Sequence, residues 1–426
     1  MSQTNVQRTD SISSQEPHSD DGKKTKSRRP ANTAFRQQRL KAWQPILTPK
    51  TVLPLFFVVG IIFAPIGGLL IWASAQVEEI AIDYSDCAAK AKNSTNLRYP
   101  PEASDFVDVP SDRVNSYFKS RQVTGGRPKW AHSTVMVNYS SSVSVNTSVC
   151  SLQFDIENDI GPPVLMYYRL TDFYQNHRRY VKSEDASQLK GTFRSNSSIS
   201  GSDCDPLKLD ENGKAYYPCG LIANSLFNDT FKTPLELITV GTGDERFYNM
   251  TNKGIAWASD KDLYKKAPYT NDQVSPPPNW RKRYPDGYTD DNPIPNLNED
   301  ESFQVWMRTA GLPAFSKLAL RNDTATMRVG RYQMDIYDNF DVTEYGGTKS
   351  ILISTRTVMG GKNPFLGIAY VVVGGLCILL GTLFTATHLI KPRQSRKLGD
   401  HTYLTWNNDN PSTAHATGRS LRPGEA

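Results

Sequence analysis

Two long apolar runs constrain the fold of this 426-residue chain more than any other feature. The first extends over 24 residues from Val52 to Ala75, the second over 26 residues from Phe365 to Ile390, and neither contains Asp, Glu, Lys or Arg. At 1.5 Å per residue, a helix of either length spans roughly 30 Å of hydrocarbon. A buried core helix is rarely apolar for so long, and a cleavable signal peptide would be shorter and closer to the N-terminus. We therefore predict transmembrane helices at 52–75 and 364–390.

The net charge of +6 belongs to the two ends of the chain. Residues 1–50 carry 10 Lys/Arg and 4 Asp/Glu, residues 391–426 carry 6 and 3, and the 76–363 segment carries 33 and 36. Because basic residues mark cytosolic flanks, this asymmetry predicts that both termini are cytosolic and that 76–363 is lumenal or extracellular. It also argues against a nucleic-acid partner, which would need basic charge on the folded segment. Three basic residues on the outer flank of the second span are the exception: Lys349, Arg356 and Lys362.

The predicted cytosolic segments differ in composition. Residues 1–31 and 391–426 are polar, and we predict that both tails are disordered. The 32–51 segment instead interleaves aromatic and basic residues just before the first span. It is interpreted either as an interfacial membrane anchor or as a docking segment for the cytosolic surface of a partner. The candidate contact residues of this docking segment are Phe35, Arg36, Arg39 and Trp43.

The 76–363 segment has the features of a domain that folds in the secretory pathway. It holds seven N-x-S/T glycosylation acceptors, at Asn93, Asn138, Asn146, Asn196, Asn228, Asn249 and Asn322. It also holds four of the five cysteines, Cys87, Cys150, Cys204 and Cys219. Four cysteines allow three pairings, and an oxidising compartment favours disulfides. Proximity favours Cys204 with Cys219, which leaves Cys87 with Cys150.

Alternating apolar and polar residues predict an antiparallel β-rich (α+β) domain in the same segment. The strand candidates are Thr134–Tyr139, Ser142–Ile156 and 164–170. The residues 331–345, the Gly346-Gly347 pair and 348–359 are typical of a β-hairpin. Short helices are predicted at Arg113–Arg121 and Glu301–Thr309, and a long proline-rich loop at 265–300. Because the domain starts and ends at the membrane, we expect its first and last strands to lie close together.

One face of the second span is lined by small residues. Gly367, Gly374 and Gly381 recur every seven residues and leave a shallow surface that another helix can approach closely. Either the first span or a helix of a partner can occupy this surface, and we take the three glycines as a candidate partner interface in the membrane. Because neither span contains a charged residue, the chain alone is a poor candidate for an ion or substrate pathway.

Catalytic patterns are weak in the 76–363 segment. Its two histidines, His132 and His177, are far apart in sequence, and it contains neither an H-E-x-x-H nor a G-x-S-x-G motif. Two D-x-D patterns occur, but this pattern is common in a segment with so many acidic residues. We therefore expect no catalytic site, no metal and no cofactor.

Longer strings carry more information than composition. They are LTDFYQNHRRYVKSEDASQL (170–189), CDPLKLDENGKAYYPCGLIANSLFNDTF (204–231), GIAWASDKD (254–262), VWMRTAGLPAFSKL (305–318) and MGGKNPFLGIAYVVVGG (359–375). Together with 32–54 they closely resemble the ligand-effect modulator family, whose members are the accessory β-subunits of type-IV P-type ATPases, the eukaryotic lipid flippases. The resemblance covers roughly residues 32–390, and it implies a fungal or similar eukaryotic member of the family.

The resemblance implies a two-span membrane protein with a glycosylated, disulfide-bonded ectodomain and no catalysis of its own. It also implies a heterodimer with a ten-span ATPase, whose exit from the endoplasmic reticulum and phosphorylation cycle the subunit supports while phospholipids move to the cytosolic leaflet. The implied locations are the endoplasmic reticulum, Golgi, endosome or plasma membrane. By position, the Cys204 to Cys219 loop with Asn228 matches a family motif. From the residues alone, a cell-surface receptor or adhesion module with a β ectodomain is the alternative.

Overall fold

The computed structural model describes residues 33–35, 38, 49–91, 99–120, 126–237, 247–356 and 361–390. Two long apolar helices flank a large antiparallel-sheet domain, which agrees with the predicted fold class. The outer helix ends, up to Leu55 and from Phe384, belong to one compact unit, and Phe56–Leu383 forms another, which is described below.

The helices are α1 (Pro49–Ala75), α2 (Cys87–Lys90), α3 (Arg178–Lys182), α4 (Ala186–Leu189), α5 (Asn196–Ser200), α6 (Leu221–Asn224), α7 (Glu301–Met307) and α8 (Phe365–Ile390). The strands are β1 (Glu79–Asp83), β2 (Val107–Asp108), β3 (Val114–Tyr117), β4 (Lys129–Asn138), β5 (Ser144–Ile156), β6 (Val164–Leu170), β7 (Ala215–Tyr216), β8 (Thr230–Phe231), β9 (Leu235–Leu237), β10 (Phe247–Tyr248), β11 (Val274–Ser275), β12 (Phe315–Asn322), β13 (Gly330–Asp338) and β14 (Lys349–Thr355).

Most strands belong to two antiparallel sheets. The first sheet has the order β12-β6-β14-β1-β3, and the second has the order β10-β9-β13-β5-β4-β2, with β8 also pairing along β13. The longest strand, β5, lies inside the second sheet, where it pairs with β4 from Lys129↔Gln153 to Asn138↔Ser144 and with β13 on its other side. A short parallel pair, β7 and β11, lies apart from both.

Apolar side chains from both sheets form one core between them. The first sheet contributes Ile80, Ile82, Ile351 and Ile353, and the second contributes Trp130, Leu152, Phe154, Met334 and Ile336. Because alternate side chains of a strand point to opposite faces, each sheet buries one face and leaves the other outward. The arrangement is a β-sandwich, and each fully buried large side chain stabilises it by about 1.5–3 kcal/mol.

A second apolar cluster forms in the segments inserted between β6 and β12. It contains Trp306, whose Nε1 donates to the carbonyl of Ile222 at 2.8 Å, and Tyr288, whose hydroxyl donates to the carbonyl of Tyr217 at 2.6 Å. The 265–300 segment is irregular, as predicted, apart from β11 and one turn of 3-10 helix. Its aromatic side chains pack into this cluster, so the insertion is a folded lobe with its own core.

Two disulfides hold the ectodomain, with the pairing that sequence proximity favours. Cys87 of α2 is joined to Cys150 of β5, so the bond connects the segment after β1 to the second sheet. Cys204 is joined to Cys219 across a sequence separation of 15 and packs with Ile199 and Ala215. Both bonds restrict the unfolded chain and thereby favour the folded state.

Two local predictions from sequence are wrong. The predicted hairpin around Gly346-Gly347 does not form, because β13 belongs to the second sheet and β14 to the first. In place of the predicted helix Arg113–Arg121, the structure has a 3-10 turn that ends at Arg113 and then β3, whose backbone pairs with β1. Arg121 lies outside the described residues. The predicted helix at Glu301–Thr309 is present as α7, and Asp300 caps its first turn.

A buried lysine fixes the crossover between the two sheets. The ammonium of Lys349, at the start of β14, lies 2.8 Å from a carboxylate oxygen of Asp229 and also contacts Asp338 at the end of β13. Tyr84, just after β1, donates its hydroxyl to the same Asp229 oxygen at 2.8 Å. Burial lowers the pKa of Lys349, but the two carboxylates outweigh this effect and raise it above its ordinary value. The crossover therefore ends on a charged, fully paired cluster.

Replacing Lys349 with Met should destabilise the ectodomain by about 3–5 kcal/mol, because both carboxylates would stay buried without their cation. The thermal unfolding of the purified full-length protein measures this effect. Lys265→Met is the matched control, because Lys265 is half exposed and lies 3.6 Å from the exposed Asp262. Loss of such a surface pair costs at most about 1 kcal/mol. Equal unfolding midpoints for the two variants would contradict the structural role of Lys349.

Candidate partner-binding surfaces

The two membrane helices approach each other along a line of glycines. A Cβ atom on Gly374 would lie 2.8 Å from the backbone nitrogen of Ala64, and one on Gly67 would lie 2.8 Å from the carbonyl oxygen of Gly367. On Gly381 it would lie 3.3 Å from the Cβ of Phe56. Real Cβ atoms do not tolerate the two shorter distances, so α1 and α8 pack at this separation only because these positions are glycine.

This packing bears on the expected partner interface, which stays a prediction. Gly367, Gly374 and Gly381 are buried against α1 of the same chain, so in this structure they do not face outward in the membrane. The structure therefore has the intrachain arrangement, which was the other interpretation of the glycine repeat. A partner helix that leaves this packing intact would contact a different side of the pair.

Two other glycines leave such a side open. Gly68 and Gly375 each follow a buried glycine by one residue, and a Cβ on either would meet no atom within 4 Å. Successive helix residues are rotated by about 100°. Because the two helices run antiparallel, this rotation turns both glycines to the same side of the pair. We call this side the open glycine face.

The ectodomain is joined to both helices by a compact set of contacts at the membrane end of the first sheet. The hydroxyl of Tyr117 donates to the carbonyl of Ala75 at 3.3 Å, and the ammonium of Lys362 lies 3.3 Å from the centre of the Tyr117 ring. The carboxylate of Glu78, which is buried, accepts from the amide of Asn158 at 2.8 Å. Tyr117 therefore contacts the end of α1 and the residues that precede α8.

An exposed tryptophan is held rigidly on the inserted lobe. The guanidinium of Arg308 lies 3.2 Å from the centre of the Trp257 ring, and it donates to both carboxylate oxygens of Asp260 at 2.7 and 2.9 Å. Trp257 is nevertheless 66% exposed. Immobilised aromatic residues of this kind are frequent anchors of protein interfaces.

Most glycosylation acceptors are accessible. In the described residues, Asn138, Asn146, Asn196, Asn228 and Asn249 are exposed, whereas Asn322 is half-buried. The Nδ2 atom of Asn322, to which a glycan would be attached, donates to the carbonyl of Asn249 at 2.6 Å, and its Oδ1 accepts from the N–H of Ala325 at 2.9 Å. Asn93 lies outside the described residues.

The cytosolic docking segment is described at few positions. Phe35 is 77% exposed. The other three candidate contact residues, Arg36, Arg39 and Trp43, lie outside the described residues. The assignment of this segment as a docking site stays a prediction.

A cleft of about 340 Å³ opens beside Asn228 and is lined by Tyr139, Trp280 and Tyr284, among others. Its two carboxylates have structural partners: Asp229 belongs to the Lys349 cluster, and Asp300 accepts the N–H of Phe303 at 3.0 Å. A hydrolytic or transfer site needs an acid, a base and a nucleophile that converge on one point. The acidic groups of this cleft do not form such a set.

Sequence reasoning missed three of these features. The Tyr117 contacts lie in a segment that was predicted to be helical, so no signal indicated them. The Lys349 cluster joins residues more than 100 positions apart in sequence, and only the presence of a lysine within an apolar strand could have indicated it. The open glycine face could have been found from the doublets Gly67-Gly68 and Gly374-Gly375, since one residue of each doublet must face sideways.

The fold and these surfaces define a class of protein: a two-span membrane protein whose ectodomain is inserted between its spans and whose exposed surfaces suit contact with a larger partner. Residues 70–394 match the model of the LEM3 (ligand-effect modulator 3) family / CDC50 family. The chain belongs to this family, as the resemblance of its sequence strings predicts.

The similarity to curated relatives covers most of this chain and most of each relative. It is 41% identical over 407 residues to the phospholipid-transporting ATPase accessory subunit CDC50 of Chaetomium thermophilum, with 94% of this chain and 97% of that protein covered. It is 43% identical over 391 residues to the accessory subunit CRF1 of Saccharomyces cerevisiae, with 91% of each covered. Cell cycle control protein 50A of Bos taurus is 39% identical over 395 residues, with 89% of this chain and 94% of that protein covered.

Replacing Gly374 with Leu should force α1 and α8 apart and lower the thermal unfolding midpoint of the detergent-solubilised chain by several degrees, because the new side chain collides with the backbone of Ala64. Gly375→Leu is the control, since this neighbour has open space around it. Fluorescence-detected size exclusion after heating compares the two variants. If both unfold at the same temperature as the unmodified chain, the glycine packing is not a stabilising contact.

Glycan occupancy should be lowest at Asn322, because its side-chain amide is held by hydrogen bonds within the fold. Enzymatic deglycosylation in heavy-oxygen water, followed by mass spectrometry, marks each occupied asparagine. Asn138, which is exposed at the end of β4, should be substantially occupied in the same sample. Full occupancy at Asn322 would contradict this expectation.

Proposed function

We propose that this chain is the non-catalytic accessory subunit of a phospholipid-transporting ATPase, in which the ATPase moves phospholipids to the cytosolic leaflet. The observation that carries this proposal is the similarity to named accessory subunits over about nine-tenths of both chains. The absence of charged residues from both spans supports it, because a lipid pathway across the membrane would then belong to the partner.

The proposed membrane contact is the open glycine face. A helix of the ATPase would pack against Gly68 and Gly375, where small residues permit close approach of the backbones. On the ectodomain, the exposed Trp257 is the proposed anchor for the ATPase surface on the same side of the membrane. The segment 32–51, with Phe35, Arg36, Arg39 and Trp43, is the proposed contact on the opposite side.

The proposed topology has both termini in the cytosol and the ectodomain in the lumen or outside the cell. The charge asymmetry between tails and ectodomain supports it, as does the location of all seven acceptor asparagines in 76–363. The proposed compartments are the endoplasmic reticulum, Golgi, endosomes and plasma membrane. By binding only the folded ATPase, the subunit would shift that protein away from unfolded forms, which is the physical basis of an assembly role.

The Gly68→Leu/Gly375→Leu double variant should reduce copurification of the ATPase at least tenfold, because two leucines would fill the open glycine face, while the ectodomain stays folded. The affinity-tagged full-length chain is extracted in mild detergent, and the ATPase is quantified by mass spectrometry after blue-native electrophoresis.

The matched control is Val373→Leu, an exposed position beside Gly374 that already carries a branched side chain. It should leave copurification unchanged. If no ATPase copurifies with the unmodified chain, the proposed function itself is contradicted. Equal copurification by the double variant and the control would contradict only the assignment of the open glycine face.

A further inference from the structure

Two cations on the outer flank of the second span lie next to the membrane end of the first sheet. Of the three basic residues there, Lys349 belongs to the buried cluster. Arg356 is exposed directly after β14, and Lys362 stacks on the ring of Tyr117 three residues before α8. Within the described ranges, neither Arg356 nor Lys362 forms an ion pair. Positive charge therefore remains next to the membrane on this side.

Register places both cations on the outward face of the first sheet. In β14, Ile351 and Ile353 point into the core, so alternation places Arg356, directly after the strand, on the opposite face, where it is exposed. On the other side of β1, Tyr117 pairs with Glu79 and carries Lys362 on its ring. The two cations thus flank the membrane end of one sheet face.

Cations and the carboxylate of Glu79 both act on this face. Burial raises the pKa of Glu79, an effect that Lys362 and Arg169 oppose. Burial also raises the pKa of the Tyr167 phenol, which Arg356 opposes. Glu79 is half-buried, so it offsets only part of the nearby positive charge.

Exposed apolar side chains lie at the adjoining ends of the two membrane helices. Trp72, in the last turn of α1, is 64% exposed, and Phe365, the first residue of α8, is 75% exposed. Tryptophan at this position marks the membrane–water boundary, where phosphate groups of lipids lie. A phospholipid matches both parts at once, because its phosphate meets the cations and its acyl chains cover the apolar residues. An acidic protein loop would match only the first part.

We propose that Arg356 and Lys362 bind the phosphate of a phospholipid in the leaflet that borders the ectodomain, with Tyr117 and Trp72 lining the site. Guanidinium and ammonium groups both bind phosphate by charge-assisted hydrogen bonds. The inference rests on the proposed function only in one respect: the proposed topology identifies this leaflet as the lumenal or external one. The bound lipid would fix the height of the ectodomain above the membrane.

The test uses the full-length glycosylated chain alone in detergent, without the ATPase. Dioleoylphosphatidylcholine is the probe, dioleoylglycerol supplies the same acyl chains without phosphate, and sodium phosphate supplies phosphate without acyl chains. The readout is the rise in thermal unfolding midpoint on addition of each compound, because a ligand that binds the folded state stabilises it. The Arg356→Gln/Lys362→Gln variant is compared with Arg178→Gln/Lys182→Gln, a pair of exposed cations on α3.

The phospholipid should raise the midpoint of the unmodified chain and of the α3 variant, and the Arg356→Gln/Lys362→Gln variant should lose most of this rise. Dioleoylglycerol and sodium phosphate should each produce a much smaller shift. Equal shifts with phospholipid and dioleoylglycerol would overturn the phosphate contact, and an equal shift with sodium phosphate would assign the site to free phosphate. A full response in the Arg356→Gln/Lys362→Gln variant would overturn the site. Copurification with the ATPase is measured separately, so these outcomes leave the proposed function untouched.

Discussion

The antiparallel pairing of β1 with β14 is the contact on which the rest of the structure depends. It joins the first strand after α1 to the last strand before α8, from Glu79↔Ser354 to Asp83↔Ser350. Paired strands lie about 4.8 Å apart, whereas packed helices usually lie 8–10 Å apart. The sheet therefore holds the segments that adjoin the two helices side by side. Between α1 and α8 themselves, the buried glycines permit the close approach of the backbones.

A second constraint is the charged cluster at the opposite end of the same strand pair. Tyr84 follows β1, Lys349 begins β14 and Asp338 ends β13, and all three meet near Asp229. Burial of a charge is unfavourable unless partners compensate it, so this arrangement is stable only when every segment is in place. A hairpin between β13 and β14, which the local sequence favours, would move Lys349 out of the first sheet, where the Lys349 carbonyl accepts from the N–H of Tyr84 and its ammonium meets Asp229. The cluster thus selects the crossover between sheets over the locally simpler connection.

Sequence patterns predict what depends on neighbouring residues. The apolar lengths predict α1 and α8, alternation predicts β4, β5 and β6, and proximity favours the Cys204 to Cys219 bond. The patterns fail where distant segments decide the outcome. Residues 113–121 have no strong preference of their own, and β3 forms there because the edge of β1 offers unpaired backbone groups. The glycine repeat at Gly367, Gly374 and Gly381 predicts a close helix contact, but repeat spacing contains no information about which helix supplies the other side.

The glycine doublets explain how the two uncharged helices can pack on each other and still leave a face for a partner helix. In each doublet one glycine faces the other helix of the chain, and the next is rotated by about 100° to the side. The first contact joins α1 to α8 within the chain. The second remains open in the chain alone, where bulky residues such as Leu69 and Leu376 surround it. In lipid, a shallow face between larger side chains gains the most dispersion contacts from a group whose shape fills it. A helix fills such a face better than mobile acyl chains do. On the proposed assignment of the open glycine face, the membrane part of the chain would favour association, even though it carries no charge for transport.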